Sequence, residues 1–483
     1  MLDWLTSVQE ELDNLENLEK IKQKIKANNF TNIVLLGMGG SSIGPKVFQA
    51  ILAPSCDFFH VLDTTHPKAL TRLCETIDLA HTLFIVASKS GSTLEPQVLY
   101  RYFLARLEQE NILEPARHFM AITDPVSPLE QESQEQGFLP GPFGEPNIGG
   151  RYSALSAFGL MPALLMNIDI KRLLERAWPM TQRCREHSSA LNPGLHLGEF
   201  LAQQVQSGRD QLVFRFSKPL EPFGWWLEQL IAESLGKNNS GIVPIINHNN
   251  CLDPDKIAYC YIKLGEDNLD IINNNKIPSY TIKLDTIYDL GAEMFRWQIA
   301  ISIAGVLLGL NPFDQPNVEQ SKELARDFLN IMIKNPQENL LDKIKIYNKS
   351  FDKFLEQARN KSYAAILSFL DNTPAHTSYL EKLQEKLSQK LAIPVLIQQG
   401  PSYLHSTGQL FKGGKNEGCF IVITGPYEFD LPSLYAQIGI KAIHISQAFG
   451  DTQAMGEGGR LVSYINYKNT TEGFQELLIL LEN

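Results

Sequence analysis

The chain has 483 residues, 43% of them hydrophobic and 20% charged, with a formal net charge of −11. That is longer than one ordinary domain, and the composition is that of a globular rather than a disordered protein. The acidic balance excludes a general binder of nucleic acid or of an acidic membrane, which needs a basic face, but leaves room for one small anionic ligand held by local donors.

The N-terminal stretch "MLDWLTSVQEELDNLENLEK" is acidic and amphipathic, unlike a secretory signal. From residue 32 short apolar runs alternate with segments of helical spacing: 32–37, 58–63, 82–88 and 118–124, with "PKVFQAIL" and "PQVLYRYFLARLEQE" between them. Continuous apolar strands separated by helices predict a doubly wound α/β domain with a parallel sheet covered on both faces. Ligands in that architecture sit beyond the carboxyl ends of the strands. A second unit is expected after "SSALNPGLHLGEFLAQQ", with strands at 211–217, 257–265 and 280–285 and long helices around 287–310 and 318–333. Its apolar run Ile299 to Leu310 is too short to span a bilayer and reads as a buried helix. Residues 334–360 are polar and read as a connector or surface helix. A third strand-bearing stretch has runs at 363–370, 394–400, 419–425 and 441–446, and forms its own domain or completes the second. The six cysteines, at 56, 74, 184, 251, 260 and 419, form no CxxC pair, which predicts neither zinc site nor redox dithiol but reduced, packed cysteines of a cytoplasmic protein.

Two strand ends carry chemistry. "GMGGSSIGPK" (37–46) closes the first strand, and its glycines permit positive φ and close backbone approach to a ligand ahead of a helix N-terminus. It does not complete a dinucleotide fingerprint, although Asp63 closes the following strand. "SKSGSTLE" (88–95) closes the third strand and offers Ser88, Ser90 and Thr93 hydroxyls around the single charge of Lys89. Charge-assisted hydrogen bonds to phosphate oxygens contribute roughly 1.5–3 kcal/mol each, so a few would hold a sugar phosphate. The bland reading is that these hydroxyls only cap a helix.

These two loops resemble the signature loops of the sugar isomerase (SIS) fold. With "NIGGRYSALSAFGL" (147–160), "EQLIAESLGKNNSGIVP" (228–244) and "NPFDQPNVEQSK" (311–322), the chain resembles the phosphoglucose isomerase family, the landmarks standing in order from 37 to 322. "GPSYLHSTGQLFKGG" (401–415) resembles the C-terminal part of the isomerase half of bifunctional transaldolase–phosphoglucose isomerases. The family's catalytic histidine usually lies between the ESxGK and NPFDQP landmarks; here the match comes later, at His405. The resemblance implies two SIS-type domains, 1–190 and 191–335, with a C-terminal α/β segment 336–483.

It further implies conversion of glucose 6-phosphate into fructose 6-phosphate through an enediol, with neither metal nor nicotinamide cofactor and in a homodimer. Glu233 is the candidate base, with Gln229 four residues before it on one helix face. Its apolar neighbours Trp225, Trp226, Leu230 and Ile231 favour a raised carboxyl pKa. Arg151 is the candidate cation beside the enediolate. His405 and Lys322 are assigned to ring opening, and His248 is the competing histidine. Gly40, Ser41, Ser88, Lys89, Ser90, Thr93, Gln229 and Gln315 are the candidate substrate contacts. A SIS-fold sensor that binds a sugar phosphate without catalysis is the alternative, and mannose 6-phosphate remains open as a second substrate. Amide transfer is disfavoured, since it needs an ammonia-producing partner domain.

Overall fold

Apolar runs flanked by glycine-rich turns become buried strands. In the computed structural model, which describes residues 1–246, 251–269, 272, 276–334, 351–432, 438–467 and 469–482, they form three parallel four-stranded sheets. The first holds β1 (Asn32–Gly37), β2 (Phe59–Leu62), β3 (Thr82–Ala87) and β4 (Phe119–Ile122), in the order β2-β1-β3-β4. The second holds β5 (Gln211–Phe216), β6 (Val243–Ile246), β7 (Ile257–Leu264) and β8 (Ser279–Leu284), and the third β9 (Tyr363–Ser368), β10 (Val395–Gln399), β11 (Gly418–Thr424) and β12 (Leu461–Asn466). The second and third repeat the order of the first: β6-β5-β7-β8 and β10-β9-β11-β12. Within the first sheet Leu35 pairs with both Val61 and Ile85, and the central strands are covered on both faces, with Leu35 and Ile85 in one core cluster and Val34, Leu36 and Phe84 in another.

The cores tie the sheets together. One cluster runs from the N-terminal Ser7–Lys26 helix through Leu35, Phe48 and Ile85 to Leu230 and Trp297, joining the first sheet to the second. Another, with Val213, Tyr261, Leu367 and Phe420, joins the second to the third. The Phe223–Leu235 helix lies at the junction: Trp226, Leu227, Leu230 and Ile231 belong to the first cluster and Ala232 to the second. Each of those four large side chains is at most 1% exposed and contributes roughly 1.5–3 kcal/mol by leaving water, so this helix is held rigidly.

Two expectations change. The run 441–446 is not a strand; it opens the Ile440–Glu457 helix. "KAIHIS" alternates like a strand, but the helix buries polar His444 and Gln447 along with Ile443, so its apolar stripe is broken by polar residues facing inward. Strands β6 and β12 went unread. The first has four residues, one of them Pro244, and the second mixes Ser463 and Asn466 into its apolar run. The C-terminal strands form a sheet of their own rather than extending the second. Residues 335–350 of the polar connector, and His248, lie outside the described residues, while Phe351–Ala358 is helical. The apolar run at 299–310 enters the Leu290–Leu307 helix, buried at Ala300, Ile301 and Ala304 but with Val306 71% exposed. All six cysteines are free. Among the described residues, no helix is long and apolar enough to cross a membrane and no group of acidic, His or Cys side chains is arranged to hold a metal ion.

Candidate active site

The turn after β1 draws the pieces together. Gly39 has φ +54°, and a Cβ there would stand 2.7 Å from the His405 carbonyl oxygen and 3.1 Å from Gln229 Nε2. A Cβ on Gly40 would penetrate the backbone of Gly150. Only glycine permits both the left-handed turn and these approaches. The Gly40–Leu52 helix therefore starts where the 150s turn, the Phe223–Leu235 helix and the 400s turn converge. Ser41 is buried in its first turn. Asp63 is engaged inside the fold, by Lys46 at 3.2 Å and Ser402 at 3.3 Å.

Glu233 lies at this convergence, 7% exposed. Its Oε1 is 3.2 Å from Arg151 Nη1, and its Oε2 accepts from Gln229 Nε2 at 3.2 Å. Burial raises its pKa, while Arg151, the Gln229 hydrogen bond, His405 and Lys237 oppose the rise without cancelling it. Gln229 Nε2 also donates to the His405 carbonyl at 3.0 Å, tying base and histidine to one amide.

Arg151, from the Gly150–Leu155 turn, is 4% exposed. Nε donates to Ser234 at 2.8 Å, Nη1 to Gln315 Oε1 at 3.0 Å, and Nη2 to the carbonyls of Pro312 and Asp314 at 2.7 and 3.0 Å. The NPFDQP loop thus clamps the guanidinium in place. Lys237, 1% exposed and in the ESLGK landmark, clamps the same loop by donating to the Asn311 carbonyl at 2.8 Å and to both the carboxylate and the carbonyl of Asp314.

His405 ends the Ser402–His405 turn that follows β10, so its imidazole comes from the third sheet. Its Nε2 lies 2.8 Å from Glu95 Oε1. Glu95 opens the Leu94–Gln109 helix after the 88–93 loop and is 2% exposed. Burial by itself would raise this carboxyl, but the charge and hydrogen bond of His405, a backbone amide hydrogen bond and the hydrogen bond from Gln447 together outweigh it and hold the pKa below the usual range. Sequence reasoning missed Glu95, although it closes the quoted "SKSGSTLE"; only the fold shows that it meets a residue 310 positions away.

The 88–93 loop is thereby joined to Glu233 through Glu95, His405 and Gln229. Thr93 occupies the N-cap position of the Leu94–Gln109 helix, yet its side chain makes no capping hydrogen bond; it accepts from Ser88 at 3.0 Å. Ser90 and Ser92 hydroxyls face each other at 2.9 Å and are exposed. The capping explanation therefore does not account for these hydroxyls. The free charge expected from Lys89 is corrected: its three donors go to the Asp124 carboxylate and to the carbonyls of Glu145 and Pro146. Lys89 ties the loop to residues 145–146. No hydrogen bond or ion pair joins Lys322 to Glu233, Arg151 or His405. Its ammonium pairs with Glu319 at 2.7 Å on the same helix, and its side chain is 42% exposed.

The family model for phosphoglucose isomerase matches residues 3–251. Glucose-6-phosphate isomerase of Methanocaldococcus jannaschii is 28% identical over 354 residues, 64% of this chain and 86% of that protein. The enzyme of the same name from Desulfitobacterium hafniense Y51 is 30% identical over 372 residues, 66% and 69% of the two chains. A hypothetical protein of Thermus thermophilus has a solved structure with TM-score 0.61 and 26% identity, covering 68% of this chain and 90% of its own. A glucose-6-phosphate isomerase from Chlamydia trachomatis shares the fold, with TM-score 0.56, 22% identity and 68% and 75% coverage. This chain belongs to the phosphoglucose isomerase family and is an isomerase of that family's glucose-6-phosphate class.

Proposed function

We propose that the enzyme interconverts glucose 6-phosphate and fructose 6-phosphate through an enediolate, with Glu233 carrying hydrogen between the two neighbouring carbons. The observation that carries this reading is the buried Glu233–Arg151 contact at 3.2 Å, with Gln229 bonded to both Glu233 and the His405 turn. A carboxylate raised by burial is a better proton acceptor near neutral pH than an ordinary one. When Glu233 takes the proton its negative charge disappears and reappears on the enediolate oxygen. Arg151, already fixed by four acceptors besides Glu233, keeps a neighbouring anion before and after the transfer, so little reorganisation is needed.

His405 is the ring-opening group in this reading. With Nε2 directed at Glu95, Nδ1 is the nitrogen left to exchange a proton with the sugar. The phosphate is received by Ser90, Ser92, Thr93 and the amides at the N-terminus of the Leu94–Gln109 helix. Lys322 assists ring opening only after leaving Glu319, a half-exposed pair of the kind that holds by about 0.2–0.5 kcal/mol. A sensor that merely binds the sugar phosphate has no use for a buried carboxylate facing a clamped guanidinium.

The test is isomerisation in D2O followed by proton NMR. Interconversion of the two hexose phosphates, with solvent deuterium entering at the carbon that exchanges, is the expected result. Tight binding without interconversion or exchange would establish the sensor instead.

A further inference from the structure

The Ile440–Glu457 helix carries a polar stripe that the reaction described so far does not use. His444, Gln447 and Asp451 stand at i, i+3 and i+7, on one face, and are 0%, 6% and 0% exposed. Buried polar groups are costly unless bonded, so the partners of each indicate what the stripe is for.

Gln447 Nε2 donates to Glu95 Oε1 at 2.6 Å, the same oxygen that receives His405 Nε2. At its other end Gln447 Oε1 lies 3.4 Å from Thr65 Oγ1. Thr65 in turn stands 3.0 Å from His444 Nδ1, and His444 Nε2 is 3.2 Å from the Phe369 carbonyl. A carbonyl only accepts, so His444 Nε2 carries the hydrogen. Burial pushes His444 down to about 3, leaving the ring neutral and Nδ1 an acceptor for Thr65. Thr65 has one hydroxyl hydrogen and gives it to His444 Nδ1, so the Gln447 amide is held by its own bond to the Glu95 carboxylate.

One helical turn further on, Asp451 accepts from Tyr403 OH at 2.6 Å, Ser321 Oγ at 3.0 Å and Lys412 Nζ at 2.5 Å. Tyr403 is two residues before His405 in the same short turn. The helix therefore reaches His405 twice, at the ring through Glu95 and at the backbone through Tyr403.

We propose that the Ile440–Glu457 helix positions the His405 imidazole, Gln447 acting through Glu95 and Asp451 through Tyr403. This rests on His405 being the ring-opening group. The other charged and titratable neighbours are Glu233 and Arg151 on the substrate side, Asp63 with Lys46 beside Ser402, and neutral His444 with His66 behind Gln447.

The experiment compares Gln447→Leu, Tyr403→Phe and His405→Asn in the full-length enzyme, measuring kcat, KM for fructose 6-phosphate and the pH profile. Gln447→Leu removes one hydrogen bond that holds the Glu95 carboxyl low, so Glu95 takes up its proton at higher pH and the acid limb of kcat/KM moves upward. A kcat loss of roughly 10- to 100-fold with KM changed less than about threefold is expected, the size for one hydrogen bond to a charged group felt in the transition state. Tyr403→Phe, which deletes a single hydroxyl and keeps the ring, lowers kcat in the same sense. If His405→Asn abolishes turnover while the other two variants keep wild-type kcat and pH profile, the helix does not position the imidazole. A fall in kcat without any shift of the acid limb in Gln447→Leu counts against it equally, as a merely structural effect. If His405→Asn turns over normally, the ring-opening assignment itself fails.

Discussion

Glu233→Gln isolates the proposed proton transfer. The substitution keeps the shape of the side chain, so the apolar packing of the Phe223–Leu235 helix is unchanged. The hydrogen-bonding arithmetic does change. Two donors, Arg151 Nη1 and Gln229 Nε2, meet the carboxylate at 3.2 Å each, and an amide offers one oxygen for both. The charged guanidinium takes that oxygen, leaving the new NH2 facing Gln229. Gln229 has a buried, unpartnered Oε1, so it can flip to accept, but flipping gives up its hydrogen bond to the His405 carbonyl. Loss of this bond costs about 0.5–1.5 kcal/mol. Arg151 loses its carboxylate but keeps four acceptors, so the penalty falls below the roughly 3–5 kcal/mol of a fully broken buried pair. The variant should therefore fold, melting several degrees lower. Removal of a general base costs about 100- to 10,000-fold in rate. Exchange of the sugar C–H hydrogen with D2O, followed by proton NMR alongside a calorimetric Kd for fructose 6-phosphate, separates the two effects. Exchange within tenfold of wild type, with binding intact, would show that another group moves the proton.

Three further outcomes follow from the same geometry. Burial raises Glu228 to about 8, Glu293 to about 7 and Glu11 to about 7, each holding its proton more tightly when folded than unfolded. Their contribution to stability is complete below the ordinary carboxylate range and is lost as pH rises through 7–8, so Tm should fall between about pH 5 and 8 and level off above, and Glu228→Gln should flatten that fall; an unchanged slope refutes it. Lys89→Met should lower Tm by a few degrees and raise KM for the phosphorylated substrate less than tenfold, because the ammonium serves Asp124 and two carbonyls; a larger KM effect without a change in Tm would return the charge to the phosphate site. Gly40→Ala drives a methyl into the Gly150 backbone and should yield unfolded or inactive protein, checked by solubility and melting; a native-like, active variant would deny the close approach.

Much of the scaffold could be read before any coordinates. Strands such as β3, buried at every position, announce themselves as unbroken apolar runs, and glycines at 39 and 40 mark a turn needing close approach. Glu233, Arg151, Gln229 and Gln315 were legible because short landmarks hold them together, and the fold does join them. What stayed hidden depends on distant pairing. Glu95, Lys237, Gln447 and Asp451 look like ordinary surface residues until their partners, far along the chain, bury them. Polar residues on an inward face likewise concealed the Ile440–Glu457 helix as an alternating strand. Lys89 erred in the opposite direction: a lone cation among hydroxyls suggests a free charge, and no local pattern reveals that Asp124 neutralises it.

The distance between Glu95 and His405 along the chain has a consequence for biosynthesis. The two residues are 310 apart. At a translation speed of about 5–20 residues per second, roughly 15–60 s pass between their emergence from the ribosome. Throughout that interval the carboxylate waits in water without the imidazole that will later cover it. A nascent chain can complete its first sheet early, but Glu95 stays uncovered until the turn that carries His405 has been made and folded onto it.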